Sequence, residues 1–379
     1  MTTATQMKTV LVGCGNIGKI HTRTLKNHPE YKLAAVCDVM NEAAQSLATE
    51  LGVKAYTDMP AMLKAMKPDV VIICTSTATH ASLTTLAVES GVKGVYCEKP
   101  MATNMKDARA MVETCKTHSV ALAIGHTRRV CPDLVAAREV IASGAIGDLL
   151  LVRGDCAGDI LSDGSHIVDS LQWLTGDQEI KWVFGQVNRD LAAQRARIEQ
   201  KGLKIEPGMR YGHAVESGGM GVYQLASGTR VEIFCGDLIP ECHPYQSYEI
   251  FGTKGRLWRI GDGLRPNLFI EDAQGGPLAI ALDKNWVLQP MPCATGQKGS
   301  WRTVDFRSFP PLDSFAIAYD VFAKMVREGA PNPMSGEIAL RGFEVIMAIY
   351  ESARVRKKIE LPLQQDRFPL EIMVEKGEI

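Results

Sequence analysis

Apolar residues follow two rhythms along this chain. In the first third they come in short unbroken runs: Thr9-Val10-Leu11-Val12, Leu33-Ala34-Ala35-Val36-Cys37, Val70-Val71-Ile72-Ile73, Gly94-Val95-Tyr96-Cys97 and Val120-Ala121-Leu122-Ala123-Ile124. Runs this short and apolar on both faces predict buried parallel strands. Between them lie helical patterns. Ala43, Leu47 and Leu51 share a face over 42–51, and Leu83, Leu86 and Ala87 recur at helical spacing. Asn104 reads as an N-cap, with Met105, Ala108, Met111, Val112 and Cys115 on the face that follows. Strand and helix alternate, so the expected architecture is a doubly wound parallel sheet.

Beyond residue 125 the rhythm changes. Helices are expected over 134–143 and 165–174, and then strand-like runs dominate at 182–184, 219–225, 229–235, 248–251 and 256–260. These predict an α+β domain on an open, mostly antiparallel sheet. Residues 191–200 are charged and alanine-rich and read as an inserted helix, and Ser335 is placed to cap a last long helix. The expected division is a nucleotide-binding domain over 1–125 and a substrate-binding and oligomerisation domain over 126–379.

The first apolar run leads into Gly13-Cys14-Gly15-Asn16-Ile17-Gly18, and the second ends at Asp38. Strand, glycine turn, helix, second strand and acid together form a dinucleotide fingerprint. Gly13 permits the tight turn, Gly15 lets a pyrophosphate approach the backbone, and Gly18 lets the helix pack on the strand. The helix start, with Asn16 and Ile17, favours phosphate. Asp38 accepts hydrogen bonds from a ribose and repels a 2′-phosphate, so NAD is expected ahead of NADP. Asn16 and Asn41 leave room for some NADP tolerance.

Composition narrows the classes further. The chain has 379 residues, 46% hydrophobic and 22% charged, with net charge −1. That balance gives no electrostatic signal for nucleic acid or membrane partners. The N-terminus lacks the apolar core of a signal peptide. The uncharged stretch 70–88 is rich in Ser and Thr and reads as strand, turn and helix, not as a membrane span. Ten cysteines lie scattered without zinc or dithiol spacing, so a cytoplasmic protein with reduced thiols is expected. Cys235, Cys242 and His243 lack a fourth ligand, and no metal is expected.

Glu98-Lys99-Pro100 follows the run Gly94-Val95-Tyr96-Cys97, at the sheet edge where ligands of doubly wound folds bind. Pro100 keeps Lys99 out of helix. An ordinary surface lysine is the alternative. Considered together, the glycine turn, Asp38, Thr75-Ser76-Thr77-Ala78-Thr79-His80, Glu98-Lys99-Pro100, Gly144-Ala145-Ile146-Gly147, Gly164-Ser165-His166-Ile167-Val168-Asp169 and Phe251-Gly252-Thr253-Lys254-Gly255 resemble the Gfo/Idh/MocA family of NAD(P)-dependent oxidoreductases over nearly the whole chain.

The resemblance implies that Lys99 lies by nicotinamide and substrate and orients the reacting hydroxyl. It implies that Glu98 lies by the cofactor, that His80 sits over the nucleotide edge, and that Thr75 lines the phosphate and nicotinamide path. It implies His166 as the base, with the family's acid four residues earlier. Here that position is Ser162, and Asp163 stands one residue nearer. Lys99, His166 and Asp163 are thus the expected catalytic residues, with Arg128 added for substrate binding. A satisfied core histidine is the alternative for His166, and a surface salt bridge for Arg128. Asp169 is expected to make structural contacts. Tyr211, His213, His243 and Tyr245 lie in loops of the kind that set substrate choice. Trp286 and Trp301 are candidates to stack on a sugar ring.

The expected activity is NAD-dependent oxidation of a secondary hydroxyl of a sugar, polyol or glycoside. The alternatives are redox-neutral glycoside cleavage with NAD held throughout, or a dinucleotide-binding regulator without catalysis. The partners expected are a small carbohydrate or glycoside and further copies of the chain, as homo-dimer or homo-tetramer.

Overall fold

The computed structural model describes residues 5–200, 202, 205–240, 243–262, 268–272, 288–290, 302–304 and 313–379. Cys242, Trp286 and Trp301 lie outside the described residues. The chain divides into two compact units. One comprises the chain through Thr127 with Tyr211–His213 and Asp313–Phe343. The other comprises Arg128–Arg210, Ala214–Leu312 and Glu344–Ile379.

The first unit alternates β1 (Met7–Val12), α1 (Asn16–Lys26), β2 (Tyr31–Cys37), α2 (Asn41–Leu51), β3 (Lys54–Tyr56), α3 (Met59–Met66), β4 (Val70–Ile73), α4 (His80–Glu89), β5 (Gly94–Cys97), α5 (Met105–Thr117) and β6 (Ala121–Ile124). Its six strands pair in parallel in the order β3-β2-β1-β4-β5-β6. Every residue of β4 and β5 is buried, which is why these strands read as unbroken apolar runs. The expected cap holds: Asn104 accepts the N–H of Asp107 at 2.9 Å. The strand order reverses between β1 and β4, and their carboxyl ends form the crevice where doubly wound folds take ligands.

The second unit carries α6 (Pro132–Ala142), β7 (Leu149–Cys156), α7 (Gly164–Leu174), β8 (Ile180–Asn188) and α8 (Leu191–Gln200). The short strands β9 (Met209–Arg210) and β10 (His213–Ala214) follow. Next come β11 (Gly218–Leu225), β12 (Arg230–Gly236), β13 (Ser247–Gly252), β14 (Gly255–Arg259), β15 (Leu268–Asp272), β16 (Leu288–Pro290) and β17 (Arg302–Val304). After these lie α9 (Ser314–Glu328), α10 (Gly336–Val355), β18 (Ile359–Glu360) and α11 (Pro369–Glu375). The large sheet runs β16-β17-β15-β14-β13-β7-β12-β11-β8-β18. All its pairings are antiparallel except β7 with β12, so it is a mixed sheet. Alternate residues of β7 and β11 are buried, the signature of a sheet covered on one face. The inserted helix α8 buries no residue. Ser335 Oγ accepts the N–H of Ile338 at 3.4 Å at the start of α10, the last long helix, and the short α11 follows it.

Helix α9 belongs to the first unit. Asp313 caps it by accepting the N–H of Phe315 at 2.9 Å, and Gly329 ends it in the left-handed conformation. Its face Ala318, Tyr319, Phe322 and Ala323 is buried. Gly94 of β5 makes this packing close: a Cβ there would lie 2.7 Å from Val326 Cγ2.

Gly185 of β8 and Gly221 of β11 pair across the large sheet, and both lie under Ile349 of α10. A Cβ on Gly221 would fall 2.5 Å from Ile349 Cδ1 and 2.8 Å from its Cγ1. Gly221→Ala should therefore destabilise the protein by about 1–3 kcal/mol through overpacking. The Gly221→Ala/Ile349→Ala double variant should be more stable than the sum of the singles, because each relieves the other. Thermal unfolding midpoints of the four proteins check this, and additive losses would contradict it.

Candidate functional site

The turn from β1 into α1 is built on missing side chains. Gly13 sits at φ +97°, and a Cβ there would lie 2.5 Å from Cys74 O at the end of β4. Gly18 faces back onto the same turn, where a Cβ would lie 2.0 Å from Gly13 O. Gly15 is different: a Cβ built on it meets nothing within 4 Å. It is the N-cap of α1, with no side-chain cap and no acid in the first turn, which includes Asn16 and Ile17. That leaves an open approach to the positive end of a helix, which suits a pyrophosphate.

Asp38 follows β2 beside this turn. Its Oδ2 accepts the N–H of Cys14 at 2.7 Å and its Oδ1 that of Met40 at 2.9 Å, so the carboxylate is fixed where a ribose would lie. Each oxygen keeps lone pairs for a further donor. Thr75 follows β4 against Gly13, half-buried, its hydroxyl 2.7 Å from that of Thr79. These residues fit NAD: Gly15 and the α1 terminus for phosphates, Asp38 for ribose hydroxyls.

His80 opens α4, after the loop that follows β4. It is 1% exposed, with Nδ1 2.9 Å from Pro100 O and Nε2 3.1 Å from Thr75 O. Burial lowers its pKa, against the opposing effect of the two carbonyls, and the ring packs between the two loops that carry them. Its Nδ1 contact holds the loop that carries Lys99 and Pro100.

Glu98 and Lys99 follow β5. Glu98 is 6% exposed, while Lys99 is half-buried and joined to Pro100 by a cis peptide. Glu98 Oε1 accepts from His21 Nε2 at 2.8 Å, and its Oε2 accepts the N–H of Lys99 at 3.1 Å. Burial alone would raise the Glu98 carboxyl. The His21 hydrogen bond and the nearby Lys99 charge outweigh it and hold the carboxyl below its ordinary value. His21 went unremarked in the sequence because it reads as one more polar residue of α1. Its spacing after Gly18 was the only available signal.

In the second unit, α7 carries His166 in its first turn, buried at 8% exposure. The segment before it folds on Asp159. Asp159 Oδ1 accepts the N–H of Ser162 at 2.6 Å, and its carbonyl accepts the N–H groups of Asp163 and Gly164 at 3.1 and 2.9 Å. Ser162 is fully buried. Asp163 is the N-cap of α7, but its carboxylate does not cap the helix. Oδ2 pairs with Arg210 at 2.5 Å and Oδ1 accepts from the Tyr245 hydroxyl at 2.9 Å. Arg210 also binds Asp159 at 2.9 Å. The displaced acid thus joins a cluster with Arg210 and Tyr245. Arg128 pairs with Asp262 and lies 5.8 Å from the centre of the Tyr245 ring. Asp169 makes the structural contacts expected of it, accepting from the fully buried Arg129 at 2.8 and 2.9 Å.

Glu216 was not legible in the sequence. It is 3% exposed; Oε1 accepts the N–H of Ile160 at 2.6 Å and Oε2 the Tyr350 hydroxyl at 2.7 Å. Burial, then the neighbouring Asp159, push its pKa up to about 7. Among the described residues no two cysteines are joined in a disulfide, and no acidic, Cys or His group forms a metal site. No described helix is long and apolar enough to cross a membrane.

Comparison with known proteins agrees with this geometry. A profile described as the oxidoreductase family with an NAD-binding Rossmann fold matches residues 7–126, and the GFO/IDH/MocA C-terminal domain matches residues 134–258. Myo-inositol 2-dehydrogenase of Thermotoga maritima is 27% identical over 376 residues, covering 94% of this chain and 98% of its own. D-apiose dehydrogenase of Paraburkholderia graminis is 27% identical over 369 residues, covering 95% and 91%. The crystal structure of the WlbA dehydrogenase from Bordetella pertussis, in complex with NADH and UDP-GlcNAcA, shares the fold, with a TM-score of 0.71 at 21% identity, covering 95% of this chain and 100% of that one. With both profiles matched and spanning well over half its length, the chain belongs to the Gfo/Idh/MocA oxidoreductase family, and its first unit is an NAD-binding domain.

Proposed function

We propose that this dehydrogenase oxidises a secondary hydroxyl of a sugar, polyol or glycoside. The observation that carries the reading is Lys99, held by its own amide on Glu98 at the carboxyl edge of β5 in the NAD-binding unit. NAD, when bound, supplies the hydride acceptor. In this reading Lys99 donates a hydrogen bond to the reacting hydroxyl oxygen, and His166 takes the hydroxyl proton as the carbon gives up hydride. Asp163, with Arg210 and Tyr245, supports the start of α7 and contributes polar groups toward substrate, as does Arg128. Relatives named for myo-inositol and D-apiose support the carbohydrate class. Asp38 supports preference for NAD over NADP.

We also propose that the chain self-associates through the open face of its large sheet. Phe184 and Trp258 are 43% and 38% exposed there, and Phe184 stands opposite Val222 on the neighbouring strand. Exposed aromatic side chains on a sheet face suit a second copy.

Three outcomes are expected. Lys99→Ala should lower turnover by about 10²–10⁴ while NAD binding remains measurable. The assay is NADH absorbance over a panel containing myo-inositol, D-apiose, D-glucose and methyl glucosides, with NAD and NADP in parallel. Full activity of Lys99→Ala would end the lysine role, aglycone release without NADH would replace net oxidation by redox-neutral cleavage, and NAD binding without turnover on any sugar would favour a regulator.

The second outcome concerns pH. The folded pKa of Glu216, at about 7, lies above the ordinary carboxylate value of 4.5. The folded state therefore binds the proton more tightly, and stability falls as pH rises from about 4.5 through about 7, by at most about 3 kcal/mol. Glu216→Gln should flatten that part of the profile, measured as unfolding midpoints at pH 5 and pH 8; an unchanged slope would contradict it. Third, Phe184→Lys/Trp258→Lys should reduce the mass seen by light scattering, and an unchanged mass would exclude this face.

A further inference from the structure

Beneath Lys99 lies a chain of hydrogen bonds that reaches from α9 to the main chain of the lysine. The Tyr319 hydroxyl is 2.5 Å from His21 Nδ1. His21 Nε2 is 2.8 Å from Glu98 Oε1, and Glu98 Oε2 accepts the Lys99 N–H at 3.1 Å. His21 and Tyr319 are 0% exposed. An ionised carboxylate only accepts, so Nε2 carries the hydrogen that Glu98 accepts, and Nδ1 is bonded to the Tyr319 hydroxyl. Burial pushes the Tyr319 hydroxyl well up and keeps it protonated.

The surroundings leave this chain little freedom. The His21 ring meets Phe315, Tyr96 and Tyr319 edge to face at 4.9, 5.6 and 5.8 Å between ring centres. Tyr31 donates its hydroxyl to the Tyr319 carbonyl at 2.8 Å, which holds α9 at this point. Gly125, after β6, is shaped to the carboxylate: a Cβ there would lie 2.7 Å from Glu98 Oε1. The carboxylate therefore has one orientation. Its first oxygen is held by the imidazole and its second faces the backbone that bears Lys99.

Such an arrangement is a poor device for stability alone. Removing a carboxylate from water costs several kcal/mol, and well-packed apolar residues commonly replace a buried polar pair without loss. A fixed chain of hydrogen bonds does, however, set the position of what it ends on, and its members polarise one another. Here it ends on the residue at the reacting hydroxyl. Displacement of such a group by about 1 Å costs up to about 10² in rate.

We propose that His21 and Glu98, closed by Tyr319, are positioning residues that hold the main chain of Lys99 in register for the reacting hydroxyl. The proposal rests on the lysine role argued above. Glu98→Gln keeps size but removes the charge, and His21→Phe keeps the edge-to-face packing but removes both hydrogen bonds. Each should lower kcat by about 10- to 100-fold, with KM and the NAD dissociation constant nearly unchanged. Tyr319→Phe, which deletes one terminal hydroxyl, is the mild variant if the others fold poorly, and its smaller loss should also fall on kcat.

Turnover is followed on myo-inositol, or on D-apiose if the cyclitol is not oxidised. In a Lys99→Ala background the same substitutions should add little further loss, because residues acting through one lysine are not additive. Amide exchange needs no substrate. In Glu98→Ala, the Lys99 N–H should exchange faster, while the Ile124 N–H, bonded to Met334 O at 2.8 Å, should be unaffected. Wild-type kcat in both Glu98→Gln and His21→Phe would overturn the proposal. So would losses of kcat and NAD affinity in parallel, which mark a packing role, or unchanged exchange at Lys99. A fully active Lys99→Ala is a different result, since it removes the lysine role itself.

Discussion

The first unit depends on how closely the turn after β1 approaches the end of β4. A Cβ at Gly13 would collide with Cys74 O at 2.5 Å, and one at Gly18 would collide with Gly13 O at 2.0 Å. Only glycine at both positions lets α1 start against the crevice between β1 and β4. Once it starts there, its uncapped end faces open space at Gly15, Asp38 closes the turn through the Cys14 amide, and the loops after β4 and β5 end at the same sheet edge. A close backbone contact thus fixes where α1 begins and which loops gather at this sheet edge.

The second unit uses glycines for another end. Gly185 and Gly221 give Ile349 a seat on the sheet, so that one face is covered by helix while Phe184 and Trp258 remain on the other. Its polar interior is organised around α7. Arg129 with Asp169 and Asp177 fixes one side, and Asp159, Asp163 and Glu216 fix the loop that leads to His166. Buried charges of this kind are paired because isolation would cost far more than pairing.

The sequence was legible where one local rule decided the outcome. The unbroken apolar runs became β4 and β5 without a shift of boundary, and the Asn104 cap opened α5. It was less legible for β3, a strand of three residues with no fully buried side chain. Helix α9 carries a cap at Asp313, an apolar face and a terminal glycine, yet its packing on β5 joins residues more than two hundred positions apart. The same distance hides the His21–Tyr319 bond. The two carbonyls that the His80 ring faces were not legible either, because a motif position does not report burial. Glu216 lies outside any motif, and only the fold brings it beneath Ile160. Asp163 stood out beside Ser162 in the sequence, but its partners Arg210 and Tyr245 did not.

Hydride transfer from a carbinol carbon is the central claim, and isotopic transfer tests it most directly. The enzyme is incubated with NAD and carbon-deuterated myo-inositol, or deuterated D-apiose if the cyclitol is inert, and the nicotinamide is analysed by mass spectrometry. The account predicts reduced nicotinamide carrying one deuterium from the sugar carbon and none when the label is supplied only in solvent. Reduced nicotinamide carrying solvent deuterium in place of the sugar label would contradict it.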